Sequence, residues 1–301
     1  MDGLLVIDKP VGPTSHDVVA RVRRATGWSK VGHTGTLDPL ASGVLPLVVG
    51  RATRLARFFS ATDKEYVAEV RLGYATDTYD ALGVPASGGS NCGLSAVCWP
   101  DATVLEAILD RFRGTYLQAP PAFSAKKIEG TRAYALARQG HAVAPGEVAV
   151  TVHELGVLEC QGDRLRVRLS VSAGFYVRSF ADALGRALGP GAHMTALRRV
   201  RTGEFGEAMA TELAAVERAP ETALSSLLPL DRLLAWMPTV VVNDEGASRT
   251  RHGNSLRPTD CIRSVVPGTE RVRVLDERGR LLALARASGT DAFLHPDIVV
   301  V

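Results

Sequence analysis

The polar and apolar positions along the chain change period several times, and each change marks an element. Residues 3–10, GLLVIDKP, form a short apolar run closed by Pro10, which predicts a strand. From Thr14 the period becomes helical. In TSHDVVARVRRATG the valines at 18, 19 and 22 share one face, Thr14 and Asp17 have capping-box spacing, and Gly27 supplies the stop. VLPLVV (44–49) reads as a buried strand and RATRLARFF (51–59) as a short helix with a basic face. KEYVAEVRLGY (64–74) alternates strictly. Tyr66, Ala68, Val70 and Leu72 point one way, Val67, Glu69 and Arg71 the other, as in a half-buried strand.

Further along, DATVLEAILDRFRG (101–114) predicts a helix with Val104, Leu105, Ile108, Leu109 and Phe112 on its apolar face. EVAVTVHEL, RLRVRLSVS and TALRRVRTGEF read as strands, and a helix begins near Tyr176. The Gly/Ser-rich residues 84–98 read as a surface loop. Residues 118–140, with two prolines, two lysines and a short helical stretch near Tyr134, read as an excursion from the core. Strands and helices are mixed without a βαβ alternation, so the expected class is α+β with a mixed, largely antiparallel sheet flanked by helices. Near residue 235 the texture changes to short strands around a DERG turn. The expected division is therefore 1–235 and a small β-rich domain at 236–301. No internal repeat interrupts this.

Composition changes the picture little. The 301 residues are 46% hydrophobic and 22% charged, with a net charge of +3, as expected of an ordinary globular protein. The opening MDGLLVIDKP has acids and a proline where a signal peptide needs a basic and then an apolar stretch, and no run is long enough to span a membrane, so a cytoplasmic protein is expected. Four cysteines (92, 98, 160, 261) form no C-x-x-C pair and have no histidine at ligand spacing, which argues against a zinc site or a disulfide framework. Basic residues cluster at Arg198, Arg199 and Arg201, at Lys126 and Lys127, and at Arg51, Arg54 and Arg57. One cluster reads as a solvated face; several on one chain point towards a polyanion.

The chemistry centres on GHTGTLDPLASGVLP, residues 32–46. Asp38 before Pro39 is either a turn-maker or a reagent. Gly32, Gly35 and Gly43 would let another backbone or a ligand come close. No second acid lies within a few residues, which weakens a two-carboxylate scheme. His33 and Tyr66 are as well explained by packing as by function, and Arg178 is either a surface ion-pair member or the buried partner of a carboxylate. Three readings stay level on the residues alone: a GXXG RNA-binding loop formed by GHTG, a degenerate H-x-G-H nucleotidyl-transfer loop with Thr36 at the second histidine, and an enzyme with one catalytic aspartate and no metal.

Five motifs in order resemble one family across almost the whole chain. VIDKPVGPTSHDVVARVR, VGHTGTLDPLASGVLPLVVGRATR, KEYVAEVRLGYATDTYDALG, QAPPAFSAKKIEGTRAYALARQG and AGFYVRSFADALGRALGPGAHMTALRRVRTGEF are similar to the TruB family of tRNA pseudouridine-55 synthases. The resemblance implies the pseudouridine synthase fold with a C-terminal PUA-type RNA-binding domain. It implies isomerisation of one T-loop uridine after base flipping, without cofactor, guide RNA or obligatory protein partner, by a monomer acting on the tRNA T-arm. It makes Asp38 the nucleophile, Arg178 its partner and Tyr66 the ring stacked on the uracil. His33 would occupy the T-loop, Tyr176 and Leu197 would line the pocket, and Lys9 and Pro10 would support the catalytic loop. Lys126, Lys127 and Arg132 would meet phosphates from an RNA-clasping insertion at 118–147. The chain departs from the family pattern before the arginine, where Val171, Ser172, Ala173, Gly174, Phe175 and Tyr176 replace the common Cys-Ser-Lys-Gly-Thr-Tyr. A noncatalytic RNA chaperone on the same scaffold, or a synthase for another RNA, are the rival readings.

Overall fold

The computed structural model describes residues 1–86, 99–123, 127–128, 131–132, 146–263, 270–288 and 293–301. A large mixed sheet is built from β1 (Gly3–Lys9), β2 (Val31–His33), β3 (Ala41–Val49), β4 (Lys64–Leu72), β5 (Gly114–Gln118), β6 (Val148–Gln161), β7 (Arg164–Val171) and β8 (Ala192–Thr202). Its order is β1-β3-β8-β4-β7-β6-β5; β2 pairs with β3, and the two-residue strand Thr211–Glu212 lies outside β1. The β3–β8 and β1–211 pairings are parallel, and the pairings along the rest of that order are antiparallel.

Helices α1 (Ser15–Thr26), α3 (Ala102–Leu109), α4 (Val177–Leu188), α5 (Leu213–Arg218) and α6 (Glu221–Ser225) contribute to the core on one face of this sheet; α2 (Ala56–Ser60) lies on the other. The inner face takes alternate residues of each strand: Leu5 and Ile7 of β1, Leu45 and Leu47 of β3, Tyr66, Ala68 and Val70 of β4, Leu165, Val167 and Leu169 of β7. At its start α1 satisfies two orphan donors reciprocally: Thr14 N–H donates to Asp17 Oδ2 at 2.8 Å and Asp17 N–H to Thr14 Oγ1 at 3.1 Å. It ends on Gly27 at φ +72°. Arg21 then grips Glu217 of α5 with two bonds of 2.6 Å.

The outer face is apolar only at the β1–β3 end, where Leu4, Val6, Val44 and Val48 pack against the second sheet. That sheet comprises β9 (Thr239–Val242), β10 (Cys261–Arg263), β11 (Arg271–Leu275), β12 (Leu281–Ser288) and β13 (Phe293–Val299), in the order β10-β9-β11-β12-β13. Leu281, Leu284, Ile298 and Val300 complete the shared core. Charges fix the seam. Asp297 accepts from Arg271 and from Arg286 (3.0 Å) and lies 3.6 Å from Arg57, while the Phe58 ring sits between the guanidinium groups of Arg57 (5.0 Å) and Arg271 (5.1 Å).

Several arginines of the basic clusters also serve the fold itself. Arg51 pairs with Asp2 (2.8 Å), Arg54 donates to the Val299 carbonyl, and Arg57 faces Asp297, so these arginines join parts of the protein. Arg198 holds Asp8 (2.9 Å) and Glu207 (2.5 Å), Arg201 holds Glu65 (2.7 Å), and Arg199 is buried. Lys126 lies outside the described residues. The backbones of Lys127 and Arg132 pair across a short hairpin, Lys127–Ile128 with Thr131–Arg132. The helical stretch near Tyr134 and most of residues 84–98 also lie outside the described residues.

Other differences have local causes. RATRLARFF opens as a 3-10 turn, Gly50–Leu55, before α2. The helix from 102 gives way to a 3-10 turn after Leu109, and Val104 is 46% exposed because only Leu105 and Leu109 of the helix turn fully inward. Helix α7 (Asp244–Arg251) follows β9 in a stretch expected to contain short strands, and is started by Asn243, whose side chain accepts from Gly246 N–H at 2.9 Å. Among the described residues no helix is long and apolar enough to cross a membrane.

The parallel β3–β8 pairing depends on Gly43. At φ +102°, a Cβ there would lie 2.2 Å from the Arg199 carbonyl oxygen, whereas one on Gly27, also left-handed, would meet nothing within 4 Å. Gly27→Ala is therefore expected to cost about 1 kcal/mol from backbone strain alone. Gly43→Ala should cost roughly 3 kcal/mol or more, because two strands must separate. Chemical denaturation of both variants checks this; equal losses would mean that the close approach is not required.

Candidate active site

Asp38 lies in the connection from β2 to β3, and this connection is tied down almost residue by residue. Thr34 N–H donates to the Pro46 carbonyl at 3.1 Å. Arg199 Nη2 donates to Gly35 O at 3.3 Å and its Nε to Val44 O at 2.8 Å. Ser15 Oγ takes the Leu37 N–H at 2.8 Å and donates back to Leu37 O at 3.1 Å, while the Leu37 side chain is buried in the core. Gly12 N–H donates to Pro39 O at 2.8 Å, and Ala41 N–H to Asp38 O at 3.0 Å. Fully buried Lys9 donates from Nζ to Ala41 O (2.5 Å) and Pro10 O (2.9 Å). Burial pushes the Lys9 ammonium down to about 8, opposed by the charge of Asp38 and reinforced by that of Arg199.

Within this fixed loop the Asp38 side chain remains one-third exposed. Arg178, in the first turn of α4 and only 6% exposed, reaches it with Nε to Oδ2 at 2.8 Å. Its other nitrogens donate to carbonyls, Nη1 to Thr78 O at 3.2 Å and Nη2 to Phe123 O at 3.0 Å. One guanidinium thus joins three segments and leaves its carboxylate partner one-third exposed, with a fixed orientation. A carboxylate so held can act as base or nucleophile towards a ligand entering from the exposed side.

Sequence reasoning assigned no role to Asp80. Its carboxylate is nearly buried, with Oδ2 3.8 Å from Arg178 Nε. Oδ1 accepts from Thr78 Oγ1 (2.7 Å) and Leu82 N–H (3.0 Å). The loop bearing it is stitched to Met194 of β8 by two backbone bonds and passes through Tyr79 at φ +63°, a left-handed conformation unusual for tyrosine. The available signal was the pair of acids in TDTYDALG just after a strand, which does not say where a turn will point its side chains.

Of the remaining expected residues, Tyr66 and Leu197 lie on the inner face of the sheet. Tyr66 of β4 is 7% exposed and lies opposite Arg199, which in turn lies opposite Gly43; Leu197 lies opposite Ala68 and Ala41. Both side chains belong to the same core cluster as Leu37, Phe175 and Val177. Tyr176 is half-buried at the start of α4. His33 ends β2, half-buried, its ring edge-on to that of exposed His16 with centroids 5.0 Å apart. Among the described residues no group of three or more His, Cys, Asp and Glu is placed to hold a metal ion.

Solved structures share this fold. A chain in the structure of an H/ACA RNP bound to a substrate RNA containing 2′-deoxyuridine matches with a TM-score of 0.73 and 26% identity, over 99% of this chain and 85% of that one. A chain in a Cbf5-Nop10-Gar1 complex matches with a TM-score of 0.72 and 27% identity, over 99% and 85%. The fold is the α+β pseudouridine synthase fold. The pattern of the TruB family pseudouridylate synthase N-terminal domain matches residues 23–177, and that of the tRNA pseudouridylate synthase B C-terminal domain residues 178–235. The tRNA pseudouridine synthase B of Solibacter usitatus is 44% identical over the full length of both chains, and that of Burkholderia mallei 39% identical over all of this chain and 97% of that one. The chain belongs to the TruB family of pseudouridylate synthases.

Removing the guanidinium leaves Asp80 buried and unpaired. Arg178→Met is therefore expected to lose roughly 3 kcal/mol of stability, and Asp80→Asn added to it should restore part of that loss. Denaturation of the single and double variants measures this. A double variant less stable than Arg178→Met would show that Asp80 does not depend on Arg178.

Proposed function

We propose that this chain converts uridine 55 in the T-loop of tRNA to pseudouridine, with Asp38 as nucleophile. The contact that carries the reading is the 2.8 Å pair between Asp38 and Arg178, on a loop inside the matched family region. The isomerisation breaks the N1–C1′ bond and makes a C5–C1′ bond. The C5 hydrogen leaves to solvent and N1 gains a proton, so nothing is oxidised and the chemistry asks for no cofactor. It needs a carboxylate held beside a ring free to turn, and Arg178 holds that of Asp38 by a hydrogen bond from Nε at 2.8 Å.

The target nucleotide must leave the T-loop stack, at a cost of a few kcal/mol of unstacking. In this reading Tyr66 offers its ring to the uracil, Tyr176 and Leu197 line the pocket, and His33 fills the space vacated in the T-loop. Lys126, Lys127 and Arg132, in an insertion spanning 118–147, meet phosphates and add salt-dependent affinity. Residues 236–301 act as a PUA-type RNA-binding domain reaching towards the acceptor end, beside a catalytic domain of residues 1–235. The enzyme works as a cytoplasmic monomer without guide RNA or protein partner. Full-length identities of 44% and 39% to tRNA pseudouridine synthase B proteins, against 26–27% to chains solved in H/ACA and Cbf5 complexes, support that choice.

The test is tritium release from unmodified tRNA labelled at C5 of uridine, with purified protein alone. One equivalent per tRNA is expected, lost when position 55 is cytidine and absent in Asp38→Asn, which still binds tRNA. Turnover by Asp38→Asn would refute the mechanism, and tight binding without any release would favour a chaperone. Tyr66→Ala should lose about 10²-fold or more in rate but less than about threefold in affinity, since stacking acts on the reacting ring. Equal losses would make Tyr66 a packing residue only.

A further inference from the structure

Helix α4 carries Arg178, yet has no capping side chain of its own; Tyr176 stands at its N-cap position without a side-chain hydrogen bond to the helix. The cap comes from elsewhere in the chain. Gln118, the last residue of β5, is 5% exposed and meets the Tyr176 peptide in both directions. Its Oε1 accepts from Tyr176 N–H at 2.8 Å, and its Nε2 donates to Tyr176 O at 3.1 Å. A side-chain amide used in this way imitates one rung of a β-ladder. Tyr176 O also accepts the first helical bond, from Phe180 N–H at 3.1 Å, so the peptide held by Gln118 is the one from which α4 is propagated.

The same seam continues on both sides of Arg178. Ser179 Oγ donates to Ala119 O at 2.7 Å, and Arg178 Nη2 donates to Phe123 O at 3.0 Å. Residues 118–123 and 176–179 are thus joined by four hydrogen bonds, with the guanidinium that touches Asp38 inside the join. A small rotation of the Tyr176 peptide would be carried two residues on to Arg178 and displace Nε from the carboxylate. Misplacement of a reacting group by about 1 Å costs on the order of 10²-fold in rate.

We propose that Gln118 is a positioning residue for the reaction, setting Arg178 and hence the Asp38 carboxylate by holding the first peptide of α4. This rests on the reading of Asp38 as the reacting group. Gln118 is buried at the very start of the 118–147 insertion, ahead of its lysines in the chain, so its loss is expected to fall on turnover more than on tRNA affinity.

The experiment uses full-length protein and unmodified tRNA under steady-state and single-turnover conditions. Gln118→Met, similar in length but unable to hydrogen-bond, should lower kcat about tenfold to a hundredfold with KM and tRNA affinity changed less than about threefold. In an Arg178→Lys background the same substitution should cost less than about threefold, because the group through which it acts is already altered. A second variant guards against misfolding. In Gln118→Glu the protonated acid has the amide's shape and both its bonding directions, so its kcat relative to wild type should rise as pH falls from 8 to 5.5. Losses that multiply fully with Arg178→Lys, a matching loss of affinity, or a flat Gln118→Glu ratio would each overturn the proposal. Asp38→Asn is run alongside. If it is inactive while Gln118→Met keeps full turnover, only the Gln118 proposal fails; if it is active, the reading of Asp38 fails instead.

Discussion

The arrangement turns on one guanidinium. Arg178 is almost wholly buried, yet each of its nitrogens serves a different stretch of chain: Nε the Asp38 carboxylate, Nη1 the Thr78 carbonyl, Nη2 the Phe123 carbonyl. A lysine could not replace it, because a single ammonium cannot present three donors in a plane towards three fixed points. The buried Asp80 carboxylate, 3.8 Å away, makes the cation tolerable in the interior, and the cation does the same for the carboxylate. Asp38 is the exposed end of this network, which gives it a set direction without a closed environment.

The loop bearing Asp38 is held by groups that lie under it. Arg199 and Lys9 are buried cations that bond carbonyl oxygens, Gly35 and Val44 for the first, Ala41 and Pro10 for the second. Strand β8 can supply Arg199 at that depth because β3 has a glycine, Gly43, where the two backbones touch. The loop bearing Asp38 therefore has little freedom left to lose, which is the condition that the proposed chemistry sets for a preorganised carboxylate.

Much of this was legible in the sequence, and the division follows the range of the interactions. The capping of α1 by Thr14 and Asp17, its stop at Gly27 and the alternation of β4 are local, and the structure has them as the pattern predicts. Asp38 stood out in a glycine-rich turn before an apolar strand, but the residues alone left it a turn-maker or a reagent, and its expected role came from the resemblance to the TruB family. The charge clusters pointed towards a polyanion, which a tRNA substrate fits, but their spacing did not show that Arg51, Arg57, Arg198 and Arg201 also pair with carboxylates brought to them by tertiary packing. Asp80 and Gln118 were missed for the same reason: their partners lie 98 and 58 residues away, and nothing in the spacing announces them. Helix α7 has a readable start at Asn243, directly after the valines of β9, yet only short strands were expected in that region.

A family of pseudouridylate synthases, a carboxylate with a fixed direction and an exposed side for a ligand are consistent at every level, from glycine conformation to the proposed chemistry. The position of that carboxylate, more than its presence, is what the surrounding bonds secure. Single-turnover pseudouridine formation by Asp38→Glu tests this most directly, because it keeps the charge and moves it by one methylene. If the carboxylate must act from the place that Arg178 gives it, the rate falls by about 10²-fold or more while tRNA affinity is retained. A variant within about tenfold of wild type would contradict a mechanism that depends on that position.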